Sequence, residues 1–157
     1  MGHHISALIG TLPVDEAKID RYDLLMYESG EYAIIGLNAY HTDFWSKKLN
    51  VSPLCIREII LDCEVTHLFA QEIFRRKEYV LLQTNYSNGT GDQAAAVYQM
   101  GQVVVPCTRA RRGPINRALR HIGVERWPSL DEFETIGLDK IDDFGDSYEH
   151  YEKLSGW

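Results

Sequence analysis

The run "YDLLMYESGEYAIIGLNAY" limits the fold more than any other stretch of the chain. Leu24–Glu28 and Glu31–Leu37 read as strands on either side of Ser29-Gly30, and glycine there supplies the positive φ of a tight hairpin turn. Strands joined this closely pair antiparallel, so the sheet that grows from them starts antiparallel. A second hairpin is predicted from "AAAVYQ" and "QVVVPC" about Met100-Gly101, with Pro106 ending the ladder. Ile5–Gly10 is apolar and β-branched enough for a first strand, and "EYVLLQTNY" resumes strand character later.

Helical periodicity fills the gaps. Ser52 is a candidate N-cap with Pro53 at the first helical position, and Ile56, Ile59, Ile60 and Cys63 then share one face. The stripe moves to Val65, Phe69 and Ile73, which predicts a break near Asp62. "HTDFWSKKLN" can open a short helix capped by Thr42 or Asp43. Pro114 starts another, with Ile115, Leu119 and Ile122 on one face and Gly123 as its stop. Ser129-x-x-Glu132 is a capping box, and Gly137 closes the turn after it. This order predicts an α+β fold: a mostly antiparallel sheet, two hairpins plus further strands, with helices packed mainly on one face. At 157 residues the chain is one domain, residues 1–157, long enough to bury roughly 70% of its extended surface.

Charge is distributed unevenly. The acidic, aromatic C-terminal segment, about residues 129–157, holds nine acids against Lys140 and Lys153 and so carries the whole net −7. Just before it, Arg109, Arg111, Arg112, Arg117, Arg120 and Arg126 face only Glu125. An acidic chain of pI ≈ 5.3 repels a polyanion, which disfavours nucleic acid as partner. The arginines are expected to pair with the acidic segment instead. No window reaches the ~20 apolar residues of a membrane span.

Three cysteines, Cys55, Cys63 and Cys107, make an odd set without C-x-x-C spacing, and "MGHHISALIG" has no basic residue before its apolar run. Both features point to a cytoplasmic chain with reduced thiols. Cys107, two residues before Arg109, is open to two readings, a thiol activated by guanidinium groups or a small buried hydrophobe. Nothing calls for a cofactor or a metal. Glu64-Val65-Thr66-His67 puts two ligand types on one helical face, yet His41, Asp43, His121 and His150 come singly.

The segment "TNYSNGTGDQAAAVYQ" asks for more attention, since its polar half lies among strand-like runs. It lacks the Lys and the following helix of a phosphate loop. It reads as a connector of about six to eight residues in which Asn88-Gly89 and Gly91 allow the reversals. Two functional expectations follow. The first is a non-enzymatic, acidic protein-binding domain of the inhibitor or immunity type. It would meet a basic protein partner through Asp131, Glu132, Glu134, Asp139, Asp142, Asp143, Asp146, Tyr148 and Tyr151. The second is a small enzyme or ligand-binding domain whose site gathers Asn85, Asn88, Asp92 and Gln93 of the Tyr86–Gln93 region, His41, and the turn of Arg109, Arg111 and Arg112. A homodimer through aromatic or hairpin edges is compatible with both.

Overall fold

A computed structural model describes residues 2–57, 60–144 and 146–154. Ile59 of the expected helical face and Trp157 of the tail lie outside the described residues, as does the side chain of Asp146. Seven strands form one antiparallel sheet: β1 (Gly2–His3), β2 (Ser6–Thr11), β3 (Met26–Ser29), β4 (Tyr32–Leu37), β5 (Glu78–Ser87), β6 (Thr90–Gln99) and β7 (Gln102–Ala110). Their order across the sheet is β3-β4-β2-β5-β6-β7, with β1 paired to the far end of β5. The helices are α1 (Glu16–Arg21), α2 (Ala39–Lys48), α3 (Glu64–Ile73), α4 (Pro114–His121), α5 (Glu132–Thr135) and α6 (Glu149–Leu154). The α+β class and the antiparallel sheet stand as the sequence predicts.

The central strands carry apolar residues without alternation, and this sets the layering. Ala7, Leu8 and Ile9 of β2 and Tyr79 to Leu82 of β5 are all fully buried, so both faces of the sheet must be covered. Gly10 and Gly36 show what covers them. A side chain at Gly10 would meet Phe74, just after α3, whereas one at Gly36 would meet Phe144 of the C-terminal segment at 2.8 Å. Gly36 pairs with Ala7, three residues from Gly10, so the two glycines point to opposite faces. Helix α3, with α1 and α2 against it, covers the face of Gly10. The other face takes α4, anchored over Gln93, and the C-terminal segment. The helices are therefore shared between the faces rather than gathered mainly on one.

The long polar loop is instead a two-residue turn. Thr84–Ser87 and Thr90–Gln93 belong to β5 and β6, in register from Thr84↔Gln93 to Ser87↔Thr90. Asn88 (φ 53°) and Gly89 (φ 80°) alone make the reversal, the left-handed pair of a hairpin turn that follows the strand twist. Met100 and Gly101 repeat it between β6 and β7 with φ of 53° and 80°, as expected, but Pro106 does not end the ladder, which runs on past a register shift to Ala110.

Between residues 51 and 63 the sequence expectation fails. No helix starts at Ser52–Pro53. Against the expected reduced thiols, Cys55 and Cys63 are joined by a disulfide, and they pair as an antiparallel bridge, with the Ile56 N–H donating to the Asp62 carbonyl at 2.8 Å. Extended chain at both cysteines excludes the helical conformation, so Ile56 is 81% exposed while Ile60 is buried. The expected break near Asp62 is where α3 begins, with Cys63 as N-cap; Val65, Phe69 and Ile73 are fully buried on it. Two other caps differ by a few residues. Asn38, not Thr42 or Asp43, caps α2 through its side chain, and the capping box of α5 is Asp131 with Glu134.

Gly91 tests this account of the hairpin. Its φ is 137°, and a Cβ there would run into the Asn85 carbonyl. Gly91→Ala is expected to lower stability by about 2–3 kcal/mol in urea unfolding. Gly89→Ala, left-handed but in open space, should lose only about 1 kcal/mol.

Candidate functional site

The residues singled out around the hairpin do meet, and they satisfy one another. Asp92 takes a hydrogen bond and ion pair from Arg109 Nε. Gln93 donates through Nε2 to the Tyr86 hydroxyl at 3.0 Å and accepts the Ile115 N–H at 2.8 Å, which caps α4 from outside the helix. The Tyr86 hydroxyl in turn donates to the Arg111 carbonyl, and Arg111 reaches the Gly89 carbonyl at 3.3 Å. Arg112 is exposed beside them. Asn85 turns the other way and meets His4 Nδ1 at 3.0 Å, on the rim of a cavity of about 470 Å³. The Arg turn thus faces Asp92 and Gln93 directly, with their own bonds filling the space between.

His41 does not join that group. It is fully buried, its Nε2–H donates to the Tyr22 carbonyl at 2.7 Å, and its ring packs against Phe69, Tyr148 and Tyr151. Burial pulls its pKa down to about 4, opposed more weakly by the Tyr22 carbonyl and the Asp23 charge. The expected site of hairpin, His41 and Arg turn is therefore not assembled, because one of its three parts belongs to the core.

The C-terminal segment is likewise docked rather than displayed. Tyr148 is buried, donates to the Gly36 carbonyl at 2.6 Å and accepts the Leu25 N–H at 2.8 Å. Tyr151 is buried and donates to Asp23 at 2.7 Å; burial first, then Asp23, pushes its phenol up to about 12. Glu132 is 5% exposed and pairs with Arg120 at 3.5 Å. Asp131 caps α5 and accepts from Asn116 at 3.1 Å, and Glu134 completes the box. Tyr148, Tyr151 and Glu132 are thereby removed from the expected partner surface. Asp139, Asp142 and Asp143 remain exposed. The expected Arg–acid pairing across the two segments is seen at Arg120–Glu132, while Arg109 and Arg111 turn to the hairpin.

One polar cluster was not foreseen, and it sits under the α3 start. Asp62 is 3% exposed. Its Oδ1 takes the His67 Nε2–H, its Oδ2 takes the Tyr98 hydroxyl at 2.7 Å, and Arg57 lies 3.8 Å away. A carboxylate only accepts, so the His67 proton is on Nε2, and Nδ1 faces the Tyr79 hydroxyl. Burial raises both phenols, with Asp62 adding to it. The Glu64–His67 pair read as a half metal site separates here, since Glu64 accepts the Ser52 N–H at 3.2 Å while His67 turns to Asp62. Cys107 is half-buried near the same cluster. Burial pushes its thiol up, against the lowering effect of Arg57 rather than of Arg109. The activated-thiol reading therefore fails, on desolvation.

Above this cluster opens a groove of about 960 Å³. Leu54, Ile56 and Met100 stand on its walls at 78%, 81% and 66% exposure. Its other groups include Leu68, Glu64 and Glu72, and no lysine or arginine lines it among the described residues. The signal that could have found it is the eight-residue spacing of Cys55 and Cys63, which closes the loop carrying Leu54 and Ile56. No protein-family model matches this chain, and no curated protein or solved structure does either.

His41 generates a pH prediction. Its folded pKa lies below its unfolded value of about 6.5, so the native form binds the proton less readily. The contribution is complete above pH 6.5 and is lost as pH falls toward about 4. Across that window wild type should lose about 3 kcal/mol more than His41→Gln, read from urea midpoints at each pH.

Proposed function

We propose that the protein is a non-enzymatic binding domain that engages a basic partner protein, and that it does so through the Leu54–Ile56–Met100 groove. The observation that carries the reading is the exposure of three large apolar side chains around one concavity with acidic groups in its lining. Exposed apolar residues gathered around one groove mark an interaction site more often than singly scattered ones do. Covering Leu54, Ile56 and Met100 is worth about 5–8 kcal/mol before the costs of association. Glu64 and Glu72 favour a cationic neighbour. Glu72 already shares Lys18 at 3.6 Å, so Glu64 is the freer of the two charges. The net charge of −7 adds long-range attraction for a basic protein, which acts on the association rate.

This moves the expected surface from the acidic tail to the groove. The tail's aromatic residues Tyr148 and Tyr151 are spent on the core, and an anchor already buried cannot be buried again by a partner.

Pull-down from a lysate, with binding then measured on the purified partner, tests the reading. Ile56→Asp and Leu54→Asp should each weaken binding at least about tenfold, and raising salt should weaken it further. Asp139→Asn with Asp142→Asn should change it less than about threefold. Loss of binding in the tail variant with full retention in both groove variants would overturn the proposal. Light scattering reports whether the occupant is instead a second copy of the chain.

A further inference from the structure

The groove wall is tied down by one covalent bond whose two sulfurs have unequal surroundings. Cys55 is exposed and lies on the groove, between Leu54 and Ile56. Cys63 is 2% exposed and is the N-cap of α3, a ten-residue helix, without any side-chain cap hydrogen bond. Segment 51–54 has neither helix nor strand. Besides the disulfide, the Cys55 region is held by the Ile56 N–H to the Asp62 carbonyl, by Arg57 near Asp62, and by the Ser52 N–H to Glu64.

We propose that Cys55–Cys63 is a thiol–disulfide exchange site, opened at Cys55 by a dithiol reductant, and that its state decides whether Leu54 and Ile56 stand on the groove wall. The second half rests on the groove being the binding surface; the first does not. A thiolate of the reductant attacks Cys55 Sγ, the accessible sulfur, and a mixed disulfide forms there. The Cys55–Cys63 bond breaks and its electron pair leaves on Cys63 Sγ. That thiolate forms at the N-terminus of α3, where the helix dipole favours an anion against burial and the neighbouring Asp62 and Glu64 carboxylates. The reductant's second thiol then attacks its own sulfur in the mixed disulfide and releases Cys55. Two electrons and two protons pass to the protein, and the dithiol becomes a disulfide. The inverse attack, on Cys63, is blocked because that sulfur lies inside the core.

The consequence follows from what remains. With the bond open, the Ile56–Asp62 backbone hydrogen bond and the polar contacts of Ser52 and Arg57 hold this segment among the described residues, each worth about 1 kcal/mol or less. Two isoleucine- and leucine-sized side chains at about 80% exposure add no packing to resist release. The Asp62–His67–Tyr98 contacts are on the α3 side of the bond and stay in place.

The test uses the wild-type protein and needs no partner. Incubated briefly with glutathione, a monothiol without the second intramolecular thiol that resolves a mixed disulfide quickly, then acid-quenched before a second glutathione reacts and mapped by mass spectrometry, it should carry glutathione on Cys55 at least about tenfold more than on Cys63. Equal labelling, or labelling of Cys63, overturns the exchange route. After reduction with dithiothreitol, the Ile56 amide should exchange hydrogen about tenfold faster or more while the α3 amides stay protected. Unchanged exchange at Ile56 overturns the release. Cys55→Ser, checked for native circular dichroism, should reproduce the reduced pattern without reductant. Nile red, a neutral dye, reports the groove: its fluorescence should fall by about half or more on reduction. If cysteine mapping holds while Leu54→Asp and Ile56→Asp bind the partner as wild type does, the exchange site stands and the groove reading fails; if mapping fails while those variants lose binding, the reverse is true.

Discussion

Burial of β2 and β5 on both faces is the constraint on which the rest depends. A strand buried on one side only needs one covering layer, but Ala7–Leu8–Ile9 and Tyr79–Leu82 leave no residue for water. Each face must therefore be roofed, and the chain has two separate supplies of roof. The helices before β5 serve the face of Gly10, while α4 and Phe144 serve the face of Gly36 and α6 packs on α2. The C-terminal segment is consequently structural, and its tyrosines are placed by need. Tyr148 bonds to backbone at Leu25 and Gly36, next to the β3–β4 edge, so the segment around it closes over the first hairpin.

The same logic explains the hairpin between β5 and β6. A polar stretch at the sheet end is expected to be loop when read locally, yet pairing continues to Ser87↔Thr90, with β1 paired to Tyr86 and Ser87 on one side and Arg109 and Arg111 bonded to Asp92 and Gly89 on the other. Gln93 is central: one amide satisfies a tyrosine hydroxyl and a helix N-terminus. Arg109 and Arg111 beside it then have local partners.

Where the chain leaves apolar surface uncovered, it does so by a covalent device. The Cys55–Cys63 bond holds an extended segment against the start of α3, and Leu54 and Ile56 face outward as a result. Beneath it, Asp62 satisfies His67 and Tyr98 with both oxygens. A buried carboxylate with both oxygens engaged is rigid, so the floor of the groove is fixed while its wall hangs on a bond that chemistry can open.

Local chemistry alone determined the elements whose energy is local. The Met100-Gly101 turn, the Pro114 helix start, the apolar face of α3 and the hairpin at Gly30 all follow from φ preferences, missing N–H groups and periodicity. The antiparallel α+β class follows from their order. What only the tertiary structure decided depends on pairs distant in sequence. His41 and His67 look alike as letters, yet one is a desolvated core ring and the other is fixed by Asp62 and Tyr79. The tail acids look like a partner surface until Tyr148 and Tyr151 are found to be roof. The Ser52–Cys63 stretch has helical periodicity, but a covalent bond across eight residues outweighs a preference of a few tenths of a kcal/mol per residue. Propensities are summed along the chain, whereas burial, ion pairing and disulfides are set by what the rest of the chain brings alongside.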